Sequence, residues 1–95
     1  MPRKHHDLKT ETAFFQAVEC GDKTFEVRKN DRDFQRWDMV VLHEVVNGIP
    51  TGRKLAPMEI VYVLLGGVYG IAPDHCVMQL KKAVRMDDGE WVSND

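Results

Sequence analysis

Ninety-five residues are enough for one domain with one core, and a chain of this size should bury somewhat over ~60% of its unfolded surface. Apolar residues make up 43% and charged residues 29%, and no apolar run approaches the ~18 residues of a membrane-spanning helix. The net charge of −2 divides unevenly: 12 Lys and Arg stand against 11 Asp and Glu over residues 1–82, but one Arg stands against four acids over residues 83–95. A near-neutral body excludes binding to a polyanion through the overall field, so any such binding needs a local patch.

The N-terminal Met1-Pro2-Arg3-Lys4-His5-His6 carries basic residues with no apolar stretch behind them, so a secretory signal is not expected and the cytoplasm is the expected location. Cys20 and Cys76 form no C-x-x-C pair and are expected as reduced, semi-buried thiols.

The first element to be predicted is a helix over Thr12–Cys20, with Phe14, Ala17 and Val18 at the spacing of one buried face. Thr10 or Thr12 is its expected cap, Glu11 falls in the first turn, and Gly21 stops it in the left-handed conformation. A strand follows at Thr24–Arg28. Its alternation puts Phe25 and Val27 inward and Thr24, Glu26 and Arg28 together on the opposite, polar face.

Lys29–Asp33 has no apolar residue and reads as a loop before a strand over Met39–Val45. Asn47-Gly48 is a reverse-turn signal, followed by strands around Lys54-Leu55 and over Met58–Leu65, the latter apolar enough to be buried on both faces. Three glycines in Gly66–Gly70 interrupt the chain before a last strand over His75–Leu80. Short strands, close turns and one early helix predict an α+β fold built on a small closed or nearly closed barrel over residues 1–82, with a core of Phe14, Val18, Phe25, Val27, Leu42, Ile60 and Val77. Residues 83–95 form an acidic tail expected to fray.

Gly21-Asp22-Lys23-Thr24-Phe25-Glu26-Val27-Arg28, lying directly after a helix, resembles the signature of the ASCH family, Gly-x-Lys-Thr-x-Glu-x-Arg. His6–Lys9, Lys29–Phe34, Tyr62–Leu64 and the Gly66–Gly70 stretch extend the likeness to an ASCH-like group of bacteria and their phages, over roughly residues 5–82. Trp37 departs from the pattern, standing where the family usually has glycine before Asp38. The resemblance implies a PUA-like barrel with a cleft for RNA, and a few relatives that hydrolyse acylated cytidine or cut RNA.

Lys9, Lys23, Glu26 and Arg28 are the residues expected at that cleft, because a base is read by charged donors and acceptors while cations hold its phosphate or ribose. The plain alternative is a solvated cross-strand ion pair worth under ~1 kcal/mol. Lys29, Asn30 and Arg32, with Arg36, form a basic loop suited to phosphate, although Asp31 and Asp33 neutralise it. Phe34, Trp37 and Tyr69 are candidate stacking platforms, of which only Tyr69 is expected to be exposed.

A metal site from His5, His6, His43, His75 and Cys76 lacks the spacing of a zinc motif, and neither metal nor cofactor is expected. Three functions are compatible: an RNA- or nucleotide-binding module, a nucleoside-directed hydrolase of the acylcytidine amidohydrolase or ribonuclease kind, and a protein-binding regulator. In a hydrolase Lys23, which matches the lysine of the acetylcytidine-hydrolysing relatives, and Glu26 are the catalytic candidates. Those relatives carry Thr in place of Glu26, and their catalytic glutamate lies in an insertion for which the segment over residues 65–74 has no room.

Overall fold

An eight-residue helix is too short to be stable alone, and α1 (Thr12–Glu19) holds its shape by burying Phe15 and Val18 against a sheet. The computed structural model describes residues 3–85 and 91–93. The strands are β1 (His5–Glu11), β2 (Phe25–Lys29), β3 (Met39–Val46), β4 (Ile49–Lys54), β5 (Met58–Leu65), β6 (His75–Arg85) and β7 (Trp91–Ser93). Their order across the sheet is β1-β3-β5-β6-β2, with β4 on β3 and β7 on β6. Among the described strands, β1 and β3 are the pair that runs parallel.

The expected barrel is an open sheet, because no backbone pairing joins the edge strands β1 and β2. These edges nevertheless approach closely: Arg28 on β2 donates from Nη2 to the Lys9 carbonyl of β1 at 2.7 Å, and Arg32 donates from Nη1 to the Asp7 carbonyl at 2.8 Å. Two arginines thus stand where ladder hydrogen bonds would close a barrel. The class remains α+β.

The core gathers Leu8, Phe15, Val18, Phe34, Val40, Leu42, Ile60, Met78 and Leu80. Of the seven expected core residues, Val18, Leu42 and Ile60 are in it. Val77 is half-buried, and Phe14, Phe25 and Val27 are exposed. Phe14 and Phe15 both lie one turn before Val18, and the sheet takes Phe15.

The reversal on β2 is complete, with Phe25 42% and Val27 48% exposed and Glu26 only 4%. Register explains it: Glu26 stands opposite the buried Met78 and shares its face, while Phe25 and Val27 stand opposite Gln79 and Val77 on the other. A bulge between Ile60 and Tyr62 makes a similar exchange on β5, so the expected two-sided burial holds only to Ile60 and Tyr62 turns outward.

Strand β1 was not predicted, since its inward positions are His6, Leu8 and Thr10 and only one is apolar. The helix cap also differs: Glu11 is the N-cap residue without a side-chain cap bond, and Thr12 instead donates to Glu44 Oε2 at 2.8 Å. Gly21 does end the helix, at φ +89°. Asn47 and Gly48, both left-handed, turn β3 into β4 as their sequence predicts. β4 itself spans Ile49–Lys54 and not merely Lys54-Leu55.

Past residue 82, β6 continues to Arg85, where β7 pairs with it. Expected fraying over residues 86–90, 94 and 95 lies outside the described residues.

Candidate functional site

The gap between β1 and β2 is a groove of about 440 Å³, within the ~300–1,000 Å³ range of small-molecule sites. β1 supplies Lys9, Thr10 and Glu11, α1 supplies Phe14, and Lys23 with the run Phe25–Arg28 comes from the opposite edge. Lys9, Lys23, Glu26 and Arg28, the four residues expected together, all line it.

Glu26 is the centre of its polar wall. Lys23 Nζ donates to Oε1 at 2.7 Å and Arg28 Nε to Oε2 at 3.1 Å, and both cations are themselves largely buried. The plain alternative of a solvated surface pair does not describe a carboxylate that is 5% exposed along its side chain. Such a group needs partners because desolvating a lone carboxylate costs several kcal/mol. Each oxygen has accepted one hydrogen bond, and a carboxylate offers about four acceptor sites, so acceptor capacity remains.

Arg28 Nη2 also reaches Thr10 Oγ1 at 3.0 Å, which with the Lys9 carbonyl fixes the guanidinium across the gap. Lys23 donates to the Phe25 carbonyl as well, and its ammonium lies 4.9 Å from the centre of the Phe25 ring and 5.7 Å from that of Phe14. Lys9 has no ion pair among the described residues, and it borders both this groove and a neighbouring one beside Asp7 and His43. Glu11 is turned to the β3–β4 turn, where it accepts from the Asn47 and Gly48 N–H groups. Three cations against two carboxylates leave the lining net positive.

A second buried carboxylate, Asp38, accepts from His6 Nε2 at 2.9 Å and from the Lys4 and Gln35 N–H groups at 3.1 Å each. Burial pushes the Asp38 carboxyl up, but these hydrogen bonds outweigh it and hold the group below the usual carboxylate range. His6 also meets the Phe34 ring edge-on at 4.7 Å.

A family model described as a domain of unknown function (DUF3850) matches residues 5–80. The chain belongs to this family. The DUF3850 match takes in every residue that lines the groove. A curated relative, the "Uncharacterized 12.9 kDa protein in GpA 3'region" of Escherichia phage P2, is 44% identical over 55 residues, 58% of this chain and 50% of the relative. The DUF3850 chain thus matches about half the length of that relative.

The other expected site residues lie outside the groove. Lys29 extends the outer face of β2, paired in register with His75. Asn30 accepts the Phe34 N–H through Oδ1 at 2.9 Å and so folds its own loop, while Arg32 is turned to β1. Tyr69 is 91% exposed at the tip of the Gly66–Gly70 turn. Glycine at 66 is required by the turn itself, since a Cβ there would stand 1.9 Å from the Ala72 carbonyl oxygen. Phe34 is buried, as expected, but Trp37 is exposed along with Tyr69.

Of the histidines weighed as metal ligands, His43 pairs with Asp7 at 2.8 Å and His75 with Asp74 at 2.7 Å, and Cys76 is buried, which pushes its thiol up. Cys20, expected semi-buried, is exposed. No helix among the described residues is long and apolar enough to cross a membrane.

Thr10, Glu11, Phe14, Phe25 and Val27 are the lining residues that sequence reasoning missed. Thr10 carries no periodic signal, and the two phenylalanines were assigned to the core because an exposed aromatic ring and a buried one look alike in sequence.

Proposed function

We propose that this DUF3850 protein binds RNA or a nucleotide in the groove between β1 and β2, in the cytoplasm and on an ASCH-like relative of the PUA fold. The observation that carries the reading is the convergence of Lys23 and Arg28 on the buried Glu26 at the wall of an open groove. A carboxylate with spare acceptor capacity suits the amino group of cytosine or adenine, the faces of Phe14 and Phe25 suit stacking, and the free Lys9 ammonium suits phosphate. The sequence likeness to the ASCH signature adds support, since its Lys, Glu and Arg are these three residues. An open sheet whose edges come within reach of one arginine is compatible with the barrel of that family.

A hydrolase at the same site is less well supported. Lys23 Nζ faces two acceptor oxygens, the geometry of a fixed cation and not of an attacking amine.

The test is titration of a labelled single-stranded RNA and of cytidine monophosphate at two salt concentrations. Lys9→Ala should weaken binding and reduce the slope of log affinity against log salt by about 0.7–0.9, as loss of one phosphate contact does. Arg28→Ala should weaken binding further. Failure of the unmodified protein to bind either ligand at low salt would overturn the proposal.

A further inference from the structure

Phe25, Gln79 and Tyr62 stand directly opposite one another across β2, β6 and β5, so their side chains leave the sheet on one face. Val27, Val77 and Leu64 form the next row of that face, and Lys29 follows on β2. This is the outer face, since Glu26 and Met78 of the alternate row are buried. With neighbouring strands ~4.8 Å apart, Phe25 and Tyr62 sit roughly 10 Å from each other. Exposed rings grouped on one sheet face of a small domain mark a candidate contact site.

Cations stand at both ends of the strip. At the β2 end Lys23 lies against the Phe25 and Phe14 rings. At the β5 end Tyr62, 60% exposed, shares a second groove of about 490 Å³ with Asn30, Asp33, Gln35 and Arg36, and the Arg36 guanidinium lies 4.7 Å from the centre of the Trp37 ring. Arg36, like Lys29, has no ion pair among the described residues.

Trp37 adds an independent observation. Its φ of +82° belongs to the region that glycine favours, and a bulky side chain there is strained. At 54% exposure the indole recovers little of that cost by burial within the chain. The fold holds this conformation through the Trp37 N–H, which donates to the Ile60 carbonyl at 2.8 Å, and leaves much of the indole open to a ligand.

We infer that the strip Phe25–Gln79–Tyr62, continued by Arg36 and Trp37, is a stacking platform for single-stranded nucleic acid. A purely aliphatic patch would suit another protein. Exposed rings flanked by cations, Lys23 at one end and Arg36 at the other, suit bases and phosphates, and Gln79 between the rings offers a donor and an acceptor to a base edge. Duplex bases, already stacked, cannot lie on these rings. The inference rests on the proposed function in taking nucleic acid as the ligand, but places it differently: the groove holds one nucleotide, and the strip holds its neighbours.

Fluorescence anisotropy with a labelled 12-residue oligocytidylate, the corresponding duplex and competing cytidine monophosphate tests it. The single strand should bind at least about tenfold tighter than the mononucleotide or the duplex. Tyr62→Ala and Trp37→Gly should each weaken the 12-mer about tenfold and leave the mononucleotide unchanged. Trp37→Gly also guards against a folding artefact, because glycine relieves the positive φ. Unchanged 12-mer binding in both variants, beside intact mononucleotide binding, would overturn the strip and leave the groove standing. Unchanged 12-mer binding with altered self-association in ultracentrifugation would overturn it in favour of a protein contact. If neither ligand binds the unmodified protein, strip and groove fall together.

Discussion

Two buried carboxylates of this small domain are held in opposite ways. Asp38 is fastened by His6 and by two backbone N–H groups, donors whose positions follow from the chain path itself. Glu26 is held by the ends of two long side chains, Lys23 and Arg28, on the wall of an open groove. Backbone donors cannot turn to a new acceptor without unfolding a loop, whereas Lys and Arg can share their remaining N–H groups with an incoming anion. Similar burial therefore accompanies donors fixed by the chain path in one case and donors free to turn in the other.

The largest effect expected from this contrast is on stability. Asp38→Ala leaves a buried imidazole and two backbone N–H groups without their acceptor, and should cost about 3 kcal/mol in urea unfolding at pH 7. Glu26→Gln keeps the shape and an acceptor beside two cations that solvent can reach, so about 1–2 kcal/mol is expected. A larger loss at Glu26 than at Asp38 would break the comparison.

Acid should act on the same contrast. The Asp38 carboxyl, held low in the folded state, binds a proton more readily once unfolded, so its contribution is full above the ordinary value near ~4 and is lost as pH falls through the lower, folded value. Asp7, held low mainly by its hydrogen bond to His43, and Glu44, held low mainly by Thr51 and Thr12, act in the same direction. Stability measured from pH 6 to pH 2.5 should therefore decline, and Asp38→Asn should be less stable at pH 6 but decline less steeply. An equally steep decline would show that Asp38 carries none of the acid sensitivity.

The smallest effect predicted is an absence of turnover. Incubated with N4-acetylcytidine and followed by chromatography, the protein should release no cytidine above background, because Lys23 is committed to Glu26 and the Phe25 carbonyl. Release that disappears in Lys23→Ala would make the hydrolase the better reading.

How far the sequence could foretell these arrangements depended on whether a local rule decided them. The stop at Gly21 and the turn at Asn47-Gly48 are set by backbone sterics at single residues and were legible. So was the meeting of Lys9, Lys23, Glu26 and Arg28, through the likeness of their motif. The outward turn of Phe25 and Val27 was not, because alternation shows that two faces differ without showing which one the core takes. The polar inner face of β1 and the bulge after Ile60 depend on partners remote in sequence, β3 and β6. Trp37 was legible only as an anomaly: the position where glycine was expected does have a glycine-like φ, and a tryptophan occupies it.

The central claim is that the groove between β1 and β2 is the binding site, and amide chemical-shift mapping of the 15N-labelled protein during titration with cytidine monophosphate tests it most directly. The account predicts that the amides of Lys9, Thr10 and Phe25–Arg28 move together along one saturable curve, and that Arg28→Ala flattens it. Saturable shifts confined to a distant segment such as the Gly66–Gly70 turn, or none at millimolar ligand and low salt, would contradict it.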